Sequence, residues 1–302
     1  MTGMGRFFTI LWAVVIGMAV TGCGHSGRYD TLQRSLEEYV RGKDANIGIA
    51  VISGDDTIAV NGHRRFPMLS VYKFPIAMAV AENCRVKKID FSDSCLVMDE
   101  DLHRDTYSPM LAEYPSVGPE GKGITIDKLL RYALQESDNN ASDILVGWVD
   151  SPALVDEYVT WLGIRGMDIL WTEAEMYERH ERCYENSSTP VAMAALMAKF
   201  DKEFNDTLSV QIKRIMEQCR TGADRLAGML PADSVTIGHK TGTGFTLPDG
   251  RLMAVNDAGY VHLSDGRRYA IAVFVENSGY DMAATSKIIA EISAMAYRAM
   301  SE

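Results

Sequence analysis

Residues 235–276 read VTIGHKTGTGFTLPDGRLMAVNDAGYVHLSDGRRYAIAVFVE, and their pattern decides the fold. Three runs rich in β-branched and aromatic residues, 235–240, 251–263 and 269–276, are separated by Gly- and Asp-bearing segments, with Ser264-Asp265-Gly266 joining the last two. Such runs predict three successive strands. Outward from them, 282–300 has the apolar spacing of a closing helix, and 30–40 (Leu32, Leu36, Tyr39, Val40) that of an opening one. Residues 47–52 and 57–60 flank Gly54-Asp55-Asp56 as a β-hairpin. Between these ends lie helical patterns at 70–84, 126–135, 141–149, 153–162, 190–204 and 210–219. Strands near both ends of the chain most simply pair in one antiparallel sheet, with the helical block inserted between them. The expected class is therefore α+β, with a cleft between sheet and helical lobe, where small-molecule sites tend to form.

Composition narrows the partners. Thirty Lys and Arg against 41 Asp and Glu leave a net charge of -11, which argues against nucleic acid, whose phosphates need a basic face. The N-terminus reads as an address. Arg6 precedes an apolar run, 7–20, too short to span a bilayer but suited to a signal peptide. It ends in Val20-Thr21-Gly22-Cys23, which resembles a bacterial lipoprotein box. Residues 1–22 are therefore expected to be removed and Cys23 lipidated. That would tether a periplasmic protein to a bacterial membrane through a linker, 23–29. No other stretch is long and apolar enough to cross a membrane, and a monomer is expected.

Four cysteines remain: Cys84, Cys95, Cys183 and Cys219. They allow three connectivities, of which Cys84 with Cys95, close in sequence, is the first candidate. No metal or cofactor is expected. The six histidines form no His-x-His or His-Glu-x-x-His arrangement, and His180 with Cys183 is too little for zinc.

Three short motifs carry chemistry. Ser70-Val71-Tyr72-Lys73 opens a helical run, where positions i and i+3 share a face. Lys73 can thus reach the Ser70 hydroxyl, and a partly desolvated amine can take the proton that makes serine nucleophilic. Ser137-Asp138-Asn139 lies between two helical patterns, though Ser, Asp and Asn also suit a plain helix start. Lys240-Thr241-Gly242 ends a strand and alone would be a strand edge. Each is weak singly. Together, in this order on a helix, a loop and a strand, they make a strong set.

In these motifs the chain resembles the class A serine β-lactamases. The likeness extends to Tyr107-Ser108-Pro109, to Thr221 through Arg225 and to Val255-Asn256-Asp257. In detail it looks most like the extended-spectrum branch of Bacteroides-type bacteria. The resemblance implies a five-stranded antiparallel sheet flanked by helices beside an all-helical lobe. The α/β lobe would comprise about 30–66 and 221–302, and the helical lobe about 67–220. It implies that Ser70 attacks a β-lactam carbonyl with help from Lys73, and that Ser137 passes the proton to the departing nitrogen. Asn139 would bind the substrate's side-chain amide. Lys240, Thr241, Gly242 and Thr243, with Arg225, would hold its carboxylate. The N–H groups of Ser70 and Thr243 would form the oxyanion hole, and Tyr107 would wall the entrance.

Glu173, in Trp171-Thr-Glu173-Ala-Glu-Met-Tyr177, aligns with the glutamate that activates the deacylating water. Trp171, Tyr177 and Asn186 stand where the family commonly has Arg, Asn and Asp, so the resemblance implies a reshaped, wider loop. With Gly244-Phe245, that loop is expected to favour cephalosporins over bulky carbapenems. Glu175 and Glu178 are weaker candidates for the role of Glu173 and read more simply as solvated surface charges. Two rivals share the motifs: a penicillin-binding protein or D-Ala-D-Ala carboxypeptidase with slow deacylation, and a lipid-tethered binding module. Glu173 is the feature that discriminates against them.

Overall fold

Strands β1 (Asn46–Ser53), β2 (Asp56–Val60), β3 (Val235–Thr243), β4 (Leu252–Leu263) and β5 (Arg268–Ser278) form one antiparallel sheet in the computed structural model, which describes residues 26–302. The sheet order is β2-β1-β5-β4-β3. β1 lies against β5 with Asn46 opposite Glu276 and Ile52 opposite Ala270, so the two ends of the chain meet in one sheet, as expected. The expected signal segment and Cys23 lie outside the described residues.

Both faces of the sheet are covered. On one, α1 (Ser26–Val40) and the closing helix (Met282–Ser301) bury Leu36, Val51, Val273 and Ile289 together. On the other, Phe66, Phe74, Phe200 and Phe274 belong to the core shared with the inserted helices. Double coverage explains why β4 is buried almost throughout instead of alternating. It also means that Asn256 and Asp257, fully buried in the middle of β4, need specific partners.

The inserted block holds α2 (Lys73–Lys87), α3 (Ile126–Gln135), α4 (Asn139–Trp148), α5 (Pro152–Trp161), α6 (Glu173–Glu178), α7 (Arg182–Glu185), α8 (Pro190–Glu203) and α9 (Thr207–Met216). Their starts follow from side-chain caps. Thr125 accepts from Lys128 N–H at 3.3 Å, Asp138 from Ala141 N–H at 2.8 Å and Thr189 from Ala192 N–H at 3.1 Å. The block also carries a short ribbon, Ser94–Val97 paired with Lys122–Thr125.

Three expectations change. The first helix begins at Ser26, inside the expected linker, because Tyr29 adds a turn to the buried Leu32–Leu36 stripe. The run from Ser70 does not start as α-helix: Leu69–Tyr72 is a 3₁₀ turn that leads into α2. The Cys84–Cys95 disulfide is absent; all four thiols are free. Burial pushes the Cys84 and Cys95 thiols up to about 11 and about 12, suppressing the thiolate through which a disulfide forms.

Candidate active site

The cleft begins at the turn that presents Ser70. Leu69, just before it, has φ 49°, the left-handed region that a branched side chain enters only under constraint. Two features supply that constraint. Buried Asn256 donates from Nδ2 to Pro67 O at 2.8 Å and Met68 O at 3.2 Å, fixing the backbone ahead of the turn. Gly242 lets β3 pass close by, since a Cβ there would lie 2.6 Å from Met68 O. Lys73 stands on the first turn of α2 and is buried. Its ammonium donates to Ser137 O (2.7 Å), Asp138 O (3.2 Å) and Asn139 Oδ1 (2.6 Å), and lies 3.1 Å from Glu173 Oε1. These groups, rather than the Ser70 hydroxyl, are its partners.

The Ser-Asp-Asn segment divides its labour. Asp138 is the buried N-cap of α4 and also accepts from Ser108 Oγ at 2.8 Å and Met110 N–H at 2.7 Å. Its flanking residues line the cleft. Ser137 has φ 60° and accepts a hydrogen bond from Lys240 Nζ at 2.8 Å. Asn139 accepts from Lys73 and donates from Nδ2 to Thr106 Oγ1 at 2.8 Å. The motif therefore serves as helix cap at Asp138, while Ser137 and Asn139 face the cleft.

The far wall is cationic. Lys240 is fully buried on β3, its other donor going to Thr241 O at 2.8 Å, and burial pulls its amine down to about 7. Arg225 donates to Gly242 O and Asn256 O, both at 3.0 Å, and to Thr243 Oγ1 at 2.7 Å. Burial lowers its pKa as well. Thr241 Oγ1 pairs with Thr221 Oγ1 at 2.6 Å. Lys240 is an ammonium below its pKa and loses that charge as pH rises through it. For a substrate bearing a carboxylate, kcat/KM is expected to fall on the alkaline side of about pH 7, by about tenfold per pH unit at the limit. kcat should fall later, because a bound carboxylate retains the proton on Lys240. Initial rates across that range check this; a flat kcat/KM profile refutes it.

Glu173 opens α6, directed at Lys73, with its Oε1 buried and free of hydrogen bonds. Asp143 of α4 fixes that turn, accepting the N–H groups of Glu173 and Ala174, each at 2.8 Å. Burial, with Glu173 beside it, pushes the Asp143 carboxyl up to about 7. Asn186, fully buried, stands in for the usual Asp: Oδ1 accepts from Leu170 and Trp171 N–H at 2.8 and 2.9 Å, and Nδ2 donates to Trp171 O at 2.7 Å. Arg182 lies over the Trp171 ring at 4.1 Å. The loop is thus held without an Arg–Asp pair at positions 171 and 186. Glu175 is tied into a capping box with Thr172, and Glu178 is exposed beside Arg182, so neither competes with Glu173. Tyr177 and Phe245 flank His180, whose ring packs against that of Phe245 at a tilt, centroids 4.7 Å apart. These rings form one rim of a cleft of about 590 Å³, and Tyr107, exposed, also lines it.

Residues 28–300 match the sequence profile of the β-lactamase enzyme family. The chain belongs to that family. A β-lactamase of Bacteroides uniformis is 37% identical over 273 residues, covering 89% of this chain and 91% of its own. The extended-spectrum β-lactamase PER-1 of Pseudomonas aeruginosa is 31% identical over 277 residues, covering 90% and 88%. The crystal structure of a class A β-lactamase from Bacteroides cellulosilyticus superposes with a TM-score of 0.85 at 35% identity, over 90% of this chain and 98% of that one. The fold is that of the class A β-lactamases.

Of the residues the motifs singled out, Ser70, Tyr107, Ser137, Asn139, Glu173, Thr241 and Thr243 line the cleft, and Lys73, Lys240 and Arg225 bond to residues that do. Sequence reasoning missed Asp143, which holds the loop of Glu173 from 30 positions upstream, and Thr106, which holds Asn139. Asn256 belongs to the Val255-Asn256-Asp257 likeness, which assigns it no role. Asn256 and Asp257 carried one available signal, as polar residues inside an otherwise apolar strand.

Proposed function

We infer that the protein hydrolyses the β-lactam ring of penicillins and cephalosporins through an ester on Ser70, and thereby confers β-lactam resistance. Ser70 Oγ attacks the ring carbonyl. Lys73 and Glu173, paired across 3.1 Å, form the relay that receives the hydroxyl proton. The developing oxyanion is held by the N–H groups of Ser70 and Thr243, each such donor worth about 3 kcal/mol at the transition state. Ser137, whose oxygen accepts from Lys240 at 2.8 Å, hands a proton to the ring nitrogen as the C–N bond breaks. Lys240, Thr241, Thr243 and Arg225 offer a cationic, hydroxyl-lined seat for the carboxylate that β-lactams carry. Asn139 faces the acyl side chain. Glu173 then takes a proton from water as it attacks the ester.

The observation that carries this reading is the Lys73–Glu173 ion pair: a carboxylate brought to the acylation machinery, where a slow penicillin-binding protein would leave its ester intact. A steady-state assay with a penicillin, an oxyimino cephalosporin and a carbapenem tests it. Turnover is expected with the first two, the oxyimino cephalosporin favoured and the carbapenem slowest. The basis is the loop built on Trp171, Tyr177 and Asn186, together with the chain's overall likeness to a relative named for an extended spectrum. A wild-type protein that traps the drug as a stable adduct would instead be a penicillin-binding protein.

We also propose that the mature chain begins at Cys23, carries lipid there and faces the periplasm as a monomer. The support is the Val20-Thr21-Gly22-Cys23 box after an apolar run. Wild type should sediment with membranes and Cys23→Ser should not. Equal solubility of the two after export would remove the anchor.

A further inference from the structure

Cys219 sits just past α9, its N–H bonded to Met216 O at 3.1 Å, and this puts the sulfur behind the Thr221–Thr241 wall of the cleft. Sγ lies 3.4 Å from Thr221 Oγ1, 3.6 Å from Thr221 O and 3.8 Å from Leu134 O. His239 is its nearest charged neighbour in effect, the two acting on each other electrostatically. His239 Nδ1 is 2.9 and 3.0 Å from the two carboxylate oxygens of Asp257, which in turn accepts Leu226 N–H at 3.1 Å. A thiol thus stands beside an imidazole that a buried carboxylate orients, the set of groups that activates a sulfur nucleophile. Lys240 and Arg225 are the other charges that act on it.

We propose that Cys219 is a modification site: a nucleophilic sulfur, activated by the buried His239–Asp257 pair, that takes a small uncharged electrophile of the hydroperoxide class. In the step, Sγ attacks one peroxide oxygen and the O–O bond breaks. The bonding pair leaves on the second oxygen, which takes a proton from the His239 imidazolium and departs as water or an alcohol. The sulfur is oxidised by two electrons to a sulfenic acid and the peroxide is reduced. The added oxygen would sit against Thr221 and compete for its hydroxyl pairing with Thr241, disturbing the carboxylate seat from behind.

The electrostatics agree with the geometry. Burial alone would hold the His239 imidazole neutral, but Asp257 overcomes it and raises the ring to about 10. Burial would likewise raise the Cys219 thiol, but His239, with Lys240 and Thr221, brings it down to about 7. The other described cysteines go the opposite way. Cys84, Cys95 and Cys183 are buried, and burial pushes their thiols up to about 11, about 12 and about 11. Cys219 is the one described cysteine that keeps partial exposure.

These three thiols are internal controls. At about pH 7.5 most of Cys219 is thiolate and almost none of the others is. Even after the lower intrinsic nucleophilicity of a low-pKa thiolate, Cys219 should react roughly tenfold or more faster. Native protein is treated with hydrogen peroxide and dimedone, or with iodoacetamide across a pH series, and adducts are mapped by peptide mass spectrometry. Cys219 should label first, half-maximally near pH 7, and His239→Gln should move that midpoint upward. Peroxide should inactivate wild type in step with labelling, whereas Cys219→Ser should keep its hydrolysis and resist. The inference fails if Cys219 labels no faster than Cys183, or if peroxide inactivates wild type and Cys219→Ser alike. Adducts are read by mass and not by turnover, so a mistaken β-lactamase assignment would leave the labelling result standing. Should His239→Gln not fold, the four-cysteine comparison in wild type still decides.

Discussion

Glu173→Gln is expected to stop the reaction half-way. The amide keeps the size of the carboxylate but cannot accept a proton from water. General-base catalysis of this kind contributes roughly 10²–10⁴-fold, so steady-state turnover should fall by about that factor. The fold should survive, because Lys73 retains three acceptors, Ser137 O, Asp138 O and Asn139 Oδ1. The site offers Lys73 as a second base for the Ser70 proton, so acylation should suffer less than deacylation. Mass spectrometry after brief mixing with a cephalosporin should then show protein plus drug, less any expelled leaving group, where wild type shows free enzyme. Ser70→Ala, with no nucleophile, should show neither adduct nor turnover. Wild-type turnover in Glu173→Gln would mean that another group activates the water. Glu175 is a poor substitute: its carboxylate already accepts the Thr172 N–H at 2.9 Å and the Thr172 hydroxyl at 3.0 Å.

How much of this was legible in the sequence depends on the range of the interaction concerned. The helix expected over 126–135 is found as Ile126–Gln135, because its apolar stripe and Thr125 cap are local signals. The three motifs were legible because each is a run of three or four consecutive residues. What escaped is set by packing between segments distant in sequence. Nothing around Asp143 marks it as the acceptor for the first turn of α6, and its neighbours read as an ordinary helix. Asn186 is known from sequence as a departure, but its three hydrogen bonds to residues 170 and 171 exist only once the loop has closed on itself. Leu69 gives no hint of positive φ. Leucine disfavours that region, and the cost is sustained by Asn256, almost two hundred positions away. The cysteine expectation failed for a related reason. Closeness in sequence said nothing of burial, which differs sharply between Cys84 or Cys95 and Cys219.

Removing the other half of the ion pair, Lys73, is expected to cost stability as well as activity. Lys73 is fully buried, and the side chain of Glu173 is only 13% exposed. Lys73→Met keeps an unbranched side chain of comparable length but strands a carboxylate beside Asp143, whose own carboxyl is already pushed up by burial and by Glu173. Breaking a buried pair by removing one partner typically costs about 3–5 kcal/mol, so Lys73→Met should be clearly destabilised in urea, and more so than Glu173→Gln. Its turnover should fall at least as far as that of Glu173→Gln, roughly 10²–10⁴-fold, with the loss now in acylation and no adduct trapped. The double variant Lys73→Met/Glu173→Gln removes both charges, and the stranded carboxylate with them. It should recover much of the stability lost by Lys73→Met while remaining inactive, giving a coupling energy of about 1–3 kcal/mol between neighbouring sites. Stability and activity would then part company, as expected of a charge pair maintained for chemistry. Additive destabilisation in the double variant would show that the two side chains do not interact, and the relay from Ser70 through Lys73 to Glu173 would lose its basis.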